Sequence, residues 1–304
     1  METRPIQAVA RHLIIENPAS IIFNRYDGKM EHLDVQLERW AFAQFEKVHH
    51  KHLEKLLTKK MKNLLIRSSD IPFWGSLFEN VSFDPVSIKS YKDIERLPIV
   101  NRQQLRNINV SYRSNMKLSK KTLGGFSGTS GTTGAPIGLY LGKKAEIRSK
   151  ALLLWVVEKI QREVDAQKSR PLTMLNLGAA IHARLYKHTI FIDNLKLEDK
   201  KERFKIIYPL ILQKKPEILY AYPSNIKRLI YWLGRDKVAF DFFKAVIYLA
   251  EHLNEGEKTF IKEFFHCPLY SFYGTKECSF IAMSCGRYEG FHLLKGWGYL
   301  EIVS

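Results

Sequence analysis

Between Phe126 and Pro136 the chain reads Phe-Ser-Gly-Thr-Ser-Gly-Thr-Thr-Gly-Ala-Pro, with small hydroxyl residues alternating with glycines where a core segment would carry bulk. Ser127, Thr129, Ser130, Thr132 and Thr133 offer hydroxyl donors. Gly128, Gly131 and Gly134 let the backbone approach a ligand closely. Amides and hydroxyls in such a turn can surround phosphate oxygens, as anion-binding backbone nests do. A plain Gly/Ser/Thr linker is the alternative, but apolar segments flank the stretch and no low-complexity sequence continues beyond it. Other glycine-rich chemistries fail letter by letter. No Lys follows Gly131 or Gly134, as a Walker loop requires. The first two glycines are too far apart for a dinucleotide fingerprint. Neither Ser127 nor Ser130 sits in Gly-x-Ser-x-Gly, the nucleophile elbow.

Downstream, three short segments carry further chemistry: Tyr222-Pro223-Ser224, Leu249-Ala250-Glu251, and Phe272-Tyr273-Gly274-Thr275-Lys276-Glu277. The elements that must position them follow from periodicity. Residues 144 to 161 read as helix and 172 to 177 as strand. Helix is then expected over 200 to 213, strand over 217 to 222, helix over 225 to 233, strand over 245 to 249, helix over 255 to 265 and strand over 269 to 272. Such alternation predicts a layered α/β fold with a largely parallel sheet flanked by helices. Ligands of open sheets gather at the carboxyl ends of strands, and each of the three segments lies at the end of an expected strand. Near the N-terminus, Leu33, Leu37, Trp40, Ala41, Phe45 and Val48 recur at helical spacing, and Leu53, Leu56, Leu57, Leu64 and Leu65 extend the stripe. This predicts a long helix or a broken pair. Ser90-Tyr91-Lys92-Asp93 reads as the start of a short helix.

Thr129 to Pro136 resembles the phosphate loop of the adenylate-forming enzymes, the superfamily of acyl-CoA synthetases and related ligases. Phe272 to Glu277 resembles that superfamily's aromatic-Gly-x-x-Glu motif, in the right order along the chain. Flanking segments are similar to the phenylacetate-CoA ligase branch, which includes capsular-polysaccharide-type ligases and deazaflavin-cofactor adenylyltransferases. These are Ser69-Asp70-Ile71-Pro72-Phe73-Trp74, Leu97-Pro98-Ile99-Val100, Tyr222-Pro223-Ser224, Leu249-Ala250-Glu251 and Cys285 through His292. The resemblance implies a fold like the large N-terminal domain of those enzymes, over residues 67 to 304, preceded by a helical extension over residues 1 to 66. It implies ATP-dependent activation of a carboxylic acid, with Mg²⁺ and with CoA among the acceptors left open. Thr129, Ser130, Gly131, Thr132, Thr133 and Gly134, with Ser127, would hold the β- and γ-phosphates. Tyr273 and Gly274 would face adenine, Thr275 the α-phosphate, and Glu277 the Mg²⁺, which takes hard oxygen ligands. Glu251 would touch the nucleotide, although Leu249 replaces the family's glycine. Tyr222 and Ser224 suit either an acyl pocket or a turn fixed by Pro223. By themselves, Tyr273 also reads as a half-buried core aromatic and Glu277 as a helix-start acid. The resemblance further implies a family C-terminal domain, carrying a catalytic lysine, that no part of this sequence matches, so a truncated ligase of weak or no turnover is expected.

Composition bounds the rest. A chain of 304 residues with 45% hydrophobic content belongs among globular proteins. The apolar run from Ala151 to Val157 falls short of the ~20 residues of a membrane span, and residues 1 to 20 lack a secretory apolar core. A formal net charge of +17 invites a nucleic-acid reading. The basic residues are instead scattered along amphipathic stretches such as 47 to 62 and 196 to 205, which reads as solvated helix faces rather than a specific nucleic-acid site. Anionic partners, namely a nucleotide, CoA or peripheral contact with membrane headgroups, stay open. Three cysteines suit a reducing compartment, so the cytoplasm is expected. His266, Cys267, Cys278 and Cys285 lack metal-ligand spacing and read as buried free thiols with a neighbouring histidine. His49, His50 and His52 read as surface residues. Beside the ligase, two other classes stay open: a nucleotide-binding protein without catalysis, and a basic nucleic-acid or membrane-surface binder.

Overall fold

In a computed structural model of the chain, the structure describes residues 29–114, 123–128, 137–167, 170, 172–177, 189–192, 208–209, 211–235, 241–275, 277–285, 290–295 and 297–301. The chain divides into two compact units. A loop unit comprises Trp40–Arg148 and Lys295–Gly298, and a sheet unit comprises Met1–Arg39, Ser149–Leu294 and Tyr299–Ser304. Charge is shared unevenly between them. In the loop unit's sequence twenty Lys and Arg stand against eight Asp and Glu, an excess of twelve out of the chain's seventeen.

The N-terminal apolar stripe forms a broken pair of helices, α1 (Lys29–Lys47) and α2 (His50–Ser69), separated by extended backbone at His49. The stripe on α1 differs from the expected one. Leu33, Leu37 and Trp40 stay 58%, 56% and 64% exposed, while Val35 and Phe42 are buried. A seven-residue step brings Val35 and Phe42 onto one helix face, and within the loop unit Phe42 packs its ring 5.4 Å from Trp297. On α2, Leu53 and Leu65 turn inward and Leu56 and Leu64 outward. His49 and His52 are exposed.

Leu65 joins Phe78, Phe83 and Ile88 in the loop unit's core, with Met61, Trp74 and Leu97 packed against it. Phe78 belongs to α3 (Pro72–Asn80), which opens on a proline whose missing N–H costs nothing there. Tyr91–Arg96 forms a 3-10 helix whose Ser90 and Asp93 make a reciprocal capping box. The backbone amides of Ser90 and Lys89 hold the Asp93 carboxyl below the usual carboxylate range. A second capping box, Asn101 with Gln104, starts α4 (Arg102–Asn107). Next comes an antiparallel hairpin that periodicity does not announce, β1 (Leu123–Gly128) with β2 (Gly138–Gly142). Helix α5 (Lys143–Val164) follows at once.

The sheet unit holds seven strands in the order β4-β3-β5-β6-β7-β8-β9. They are β3 (Met174–Leu177), β4 (Thr189–Ile192), β5 (Ile218–Ala221), β6 (Ala245–Leu249), β7 (Leu269–Thr275), β8 (Ser279–Met283) and β9 (His292–Leu293). The first five in that order are parallel, and β8 and β9 add antiparallel. Helix α6 (Pro223–Arg235) follows β5, and α7 (Glu255–Phe265) follows β6. Asn254 and Glu257 form the capping box that starts α7. Of the helix expected over 200 to 213, residues 208–209 and 211–214 are described and helical.

Alternate strand residues face one cluster. Leu175, Leu177, Leu219, Ala221, Val246, Tyr248 and Leu269 pack with Ile226, Leu229 and Ile230 of α6 and Ile261 and Phe265 of α7. The intervening residues of β3, β5 and β6 are buried as well. Burial on both faces is why β5 and β6 read as continuous apolar runs rather than as alternating ones. Among the described residues, no helix is long and apolar enough to cross a membrane.

Candidate functional site

The glycine- and hydroxyl-rich segment is the connection of a hairpin. Ser127 and Gly128 end β1, where Ser127 pairs with Leu139 and Gly128 with Gly138. Thr129, Ser130, Gly131, Thr132, Thr133 and Gly134 lie outside the described residues. The root of this connection is held by a chain of contacts inside the loop unit. The Phe73 amide donates to the Tyr112 carbonyl at 3.0 Å, and the Trp74 indole donates to the Arg113 carbonyl at 3.3 Å. Arg113 in turn donates from its guanidinium to the Gly138 carbonyl at 2.6 Å and to the Ile108 carbonyl at 3.4 Å. The Ile71-Pro72-Phe73-Trp74 segment is therefore scaffold for the hairpin. Arg113 was not singled out in the sequence, and no local pattern marks it: its acceptor lies 25 residues away.

In the sheet unit the three strand-end segments gather on neighbouring strands. The order β4-β3-β5-β6-β7 is the second-first-third-fourth-fifth arrangement of a doubly wound sheet, whose topological switch point falls between β3 and β5. Tyr222-Pro223-Ser224 leaves the carboxyl end of β5 at that point. Pro223 opens α6, and the Tyr222 carbonyl accepts from the amides of Asn225 and Ile226 at 2.9 and 3.0 Å. The Asn225 side-chain amide donates across the switch point to the Leu177 carbonyl, the last residue of β3, at 2.8 Å. From the other side, the Glu251 carboxylate accepts from the Ser224 amide at 2.8 Å and from its hydroxyl at 2.9 Å. Two sequence-selected residues, Ser224 and Glu251, are thus direct partners. Asn225 was missed as a site residue, and no local pattern marks it, because its acceptor lies 48 residues away.

The end of β6 is strained. Ala250 has φ of +66°, and the Glu251 amide donates to the Leu249 carbonyl at 2.9 Å across it. An L-residue at the centre of such a γ-turn occupies a rarely populated conformation.

Tyr273, Gly274 and Thr275 continue β7 three residues past the expected end at Phe272, into a tight hairpin with β8. Glu277 accordingly sits exposed in that turn rather than at a helix start. The register shifts between Tyr273 and Gly274. A Cβ on Gly274 would fall 1.8 Å from the Ser279 carbonyl oxygen, so only glycine fits. The Thr275 hydroxyl accepts from the Cys278 amide at 3.2 Å. The Tyr273 ring is half-exposed. It lies 6.0 Å from the equally exposed Phe291, a second aromatic that the sequence reading passed over. Phe272, the strand neighbour of Tyr273, packs on Phe280 at 4.6 Å and on Tyr220 at 6.4 Å. Burial drives the Tyr220 phenol well above its ordinary pKa.

The thiols differ from their expected burial. All three are free, with Cys278 exposed and Cys267 and Cys285 partly buried. Cys278 is exposed because it belongs to the hairpin turn. Burial still pushes the Cys267 thiol up to about 12. Cys285 lies 3.0 Å from a ring nitrogen of His292. Among the described residues no three His, Cys, Asp or Glu side chains are grouped to hold a metal ion.

No protein-family model matches the chain, and no curated protein matches its sequence at a significant level. Solved structures do match. 2-Hydroxyisobutyryl-CoA ligase with 2-HIB-AMP and CoA, in the thioesterification state, superposes with a TM-score of 0.66 at 17% identity, covering 81% of this chain and 55% of that one. The open conformation of the same ligase with the same ligands gives a TM-score of 0.63 at 16% identity, covering 79% and 54%. Its postadenylation state with 2-HIB-AMP gives 0.63 at 16%, covering 79% and 53%. The chain spans about half the length of these structures. Its mixed α/β architecture, a mostly parallel sheet flanked by helices, is the fold of the N-terminal domain of adenylate-forming enzymes.

Proposed function

We propose that the chain carries the nucleotide- and acid-binding portion of an ATP-dependent carboxylate-activating ligase of the adenylate-forming type, similar to the phenylacetate-CoA ligase branch. The observation that carries this reading is the gathering of Tyr222-Pro223-Ser224, Ala250-Glu251 and Tyr273-Gly274-Thr275 on three adjacent strand ends beside a topological switch point. The fold shared with a ligase solved with an acyl-AMP and CoA supports it.

In the proposed reaction a carboxylate oxygen attacks the α-phosphorus of ATP and pyrophosphate leaves with the electron pair of the broken P–O bond. The protein's task is to hold the two reactants in line and to stabilise the charge that develops. Ser127 and the hairpin segment Thr129, Ser130, Gly131, Thr132, Thr133 and Gly134 would hold the β- and γ-phosphates. Tyr273, whose ring is tilted against that of Phe291, would offer its face to adenine, and Thr275 would donate to the α-phosphate. Tyr222 would line the acid's side of the crevice. Glu277, an exposed carboxylate in a turn, fits a hydrated Mg²⁺, which keeps several waters and takes few protein ligands. That ion would supply charge neutralisation between the phosphates. CoA is the acceptor that the fold neighbours favour.

Two measurements test the reading. Titration calorimetry with ATP and Mg²⁺ is expected to show saturable binding, and its absence would sink the proposal. Pyrophosphate exchange into ATP, screened over aryl and short-chain carboxylic acids, is expected to depend on the acid. Binding without exchange would leave a nucleotide-binding protein and exclude the activation step.

A further inference from the structure

A helix start exposes amides that ordinarily attract anions, and α6 begins beside the switch-point crevice. Its amides are nevertheless all accounted for by the chain itself. Pro223 has none, Ser224 donates to Glu251, and Asn225 and Ile226 donate to the Tyr222 carbonyl. No amide of this first turn is left for a phosphate or a substrate carboxylate. Both oxygens of Glu251 are likewise engaged, one by the Ser224 amide and one by its hydroxyl. The carboxylate is aimed at them by the γ-turn at Ala250, whose positive φ would relax if nothing held it. With Asn225 bonded to the Leu177 carbonyl, the carboxyl ends of β3, β5 and β6 are tied into one rim.

We propose that Glu251 is a positioning residue rather than a nucleotide ligand. Its carboxylate replaces an external anion at the start of α6. Through Ser224 it locks the turn bearing Tyr222 to the turn bearing Ala250, so that the acid side and the nucleotide side of the crevice are held as one unit. This inference rests on the ligase reading for the identity of the two sides, but not for the brace itself. The charge-assisted pair holds the strained turn, and removing either partner releases both turns.

Binding of ATP and Mg²⁺ by calorimetry, on the full chain, would be compared for wild type, Ser224→Ala, Glu251→Ala, the double variant and Glu251→Gln. Loss of such a bond predicts about tenfold weaker binding for Glu251→Ala. A smaller loss is expected for Ser224→Ala, and the double variant should be no weaker than Glu251→Ala. Glu251→Gln, which keeps one acceptor oxygen, should recover most of the affinity. An unchanged Ser224→Ala beside a crippled Glu251→Ala would mean that Glu251 touches the nucleotide directly, and would overturn the proposal. Amide hydrogen exchange supplies an arm that needs no nucleotide. In Glu251→Ala, protection should fall in residues 224–226 and 250–252 together, and in Glu251→Gln it should be largely retained in both. A fall confined to 250–252, or none in either, overturns the brace. Wild-type protein that binds no ATP, beside a Glu251→Ala variant that shows the paired loss of protection, would reject the ligase reading and leave the brace standing.

Discussion

The two edges of the seven-stranded sheet are built by opposite rules. At the amino edge, Glu217 is buried and its carboxylate accepts from the Arg170 guanidinium and the Thr173 amide, each at 3.2 Å. Lys244 stands 3.9 Å from the same carboxylate and pairs with Asp165. Backbone bonds from Glu217 and Ile218 to the Thr173 carbonyl, and from Lys244 to the Glu217 carbonyl, register the starts of β3, β5 and β6. At the carboxyl edge Glu251 and Tyr273 are exposed, Gly274 is forced by contact with the opposite strand, and the positive φ of Ala250 lies in a γ-turn at the end of β6, whereas near the amino edge the positive φ of Lys215 and His266 only follows the ends of helices. One edge holds the strands in register with satisfied buried charge, so the other can carry strain and accessible side chains without loss of the fold. That division of labour is what a binding edge needs.

Breaking the amino edge should have the largest effect. Glu217→Ala removes the shared acceptor of the Thr173 amide and hydroxyl and of the solvent-exposed Arg170 guanidinium, at an expected cost of about 3 kcal/mol in urea unfolding. Affinity for ATP and Mg²⁺ per folded molecule should not change, and a variant losing affinity with its stability intact would contradict the division. Next comes Gly274→Ala. The added methyl collides with backbone that cannot yield, which predicts about 2 kcal/mol of destabilisation in a thermal melt together with loss of nucleotide binding.

Arg113 offers a comparison from the other unit, because it too anchors a strand end by bonding carbonyls. Arg113→Ala should weaken ATP binding about tenfold, the worth of a charged hydrogen bond. Arg113→Lys should restore only part of this, since a single ammonium cannot span the Ile108 and Gly138 carbonyls as the fork does. The smallest expected effect is a gain. Ala250→Gly removes the penalty of a positive φ and should raise stability by about 1 kcal/mol, read as a rise of a few degrees in Tm. A fall would mean that the Ala250 turn is not strained.

Local elements were legible in the sequence, and long-range partners were not. Helix α7 runs over the residues 255 to 265 that its periodicity announces, and β6 spans the apolar run Ala245 to Leu249. The placing of Tyr222, Glu251 and Tyr273 at strand ends followed from alternation of helix with strand. The β1–β2 hairpin escaped because five of its eleven strand positions are glycine, which carries little strand propensity, so its pairing rests on register rather than on composition. The continuation of β7 through Thr275 escaped because Gly274 resembles a strand terminator, whereas here it marks the site of closest backbone approach. The bonds Ser224–Glu251 and Asn225–Leu177 join residues 27 and 48 positions apart, and nothing in a sliding window of the sequence encodes such distances.

The uneven distribution of charge has a kinetic consequence. A segment carrying an excess of twelve positive charges is surrounded by a potential that extends about 10 Å into 0.1 M salt. Any multiply anionic solute drifts down that gradient before it touches a side chain, so collisions on this unit of the protein are enriched over random encounter. Capture should therefore slow steeply as ionic strength rises, whereas escape, governed by contacts made after arrival, should barely respond.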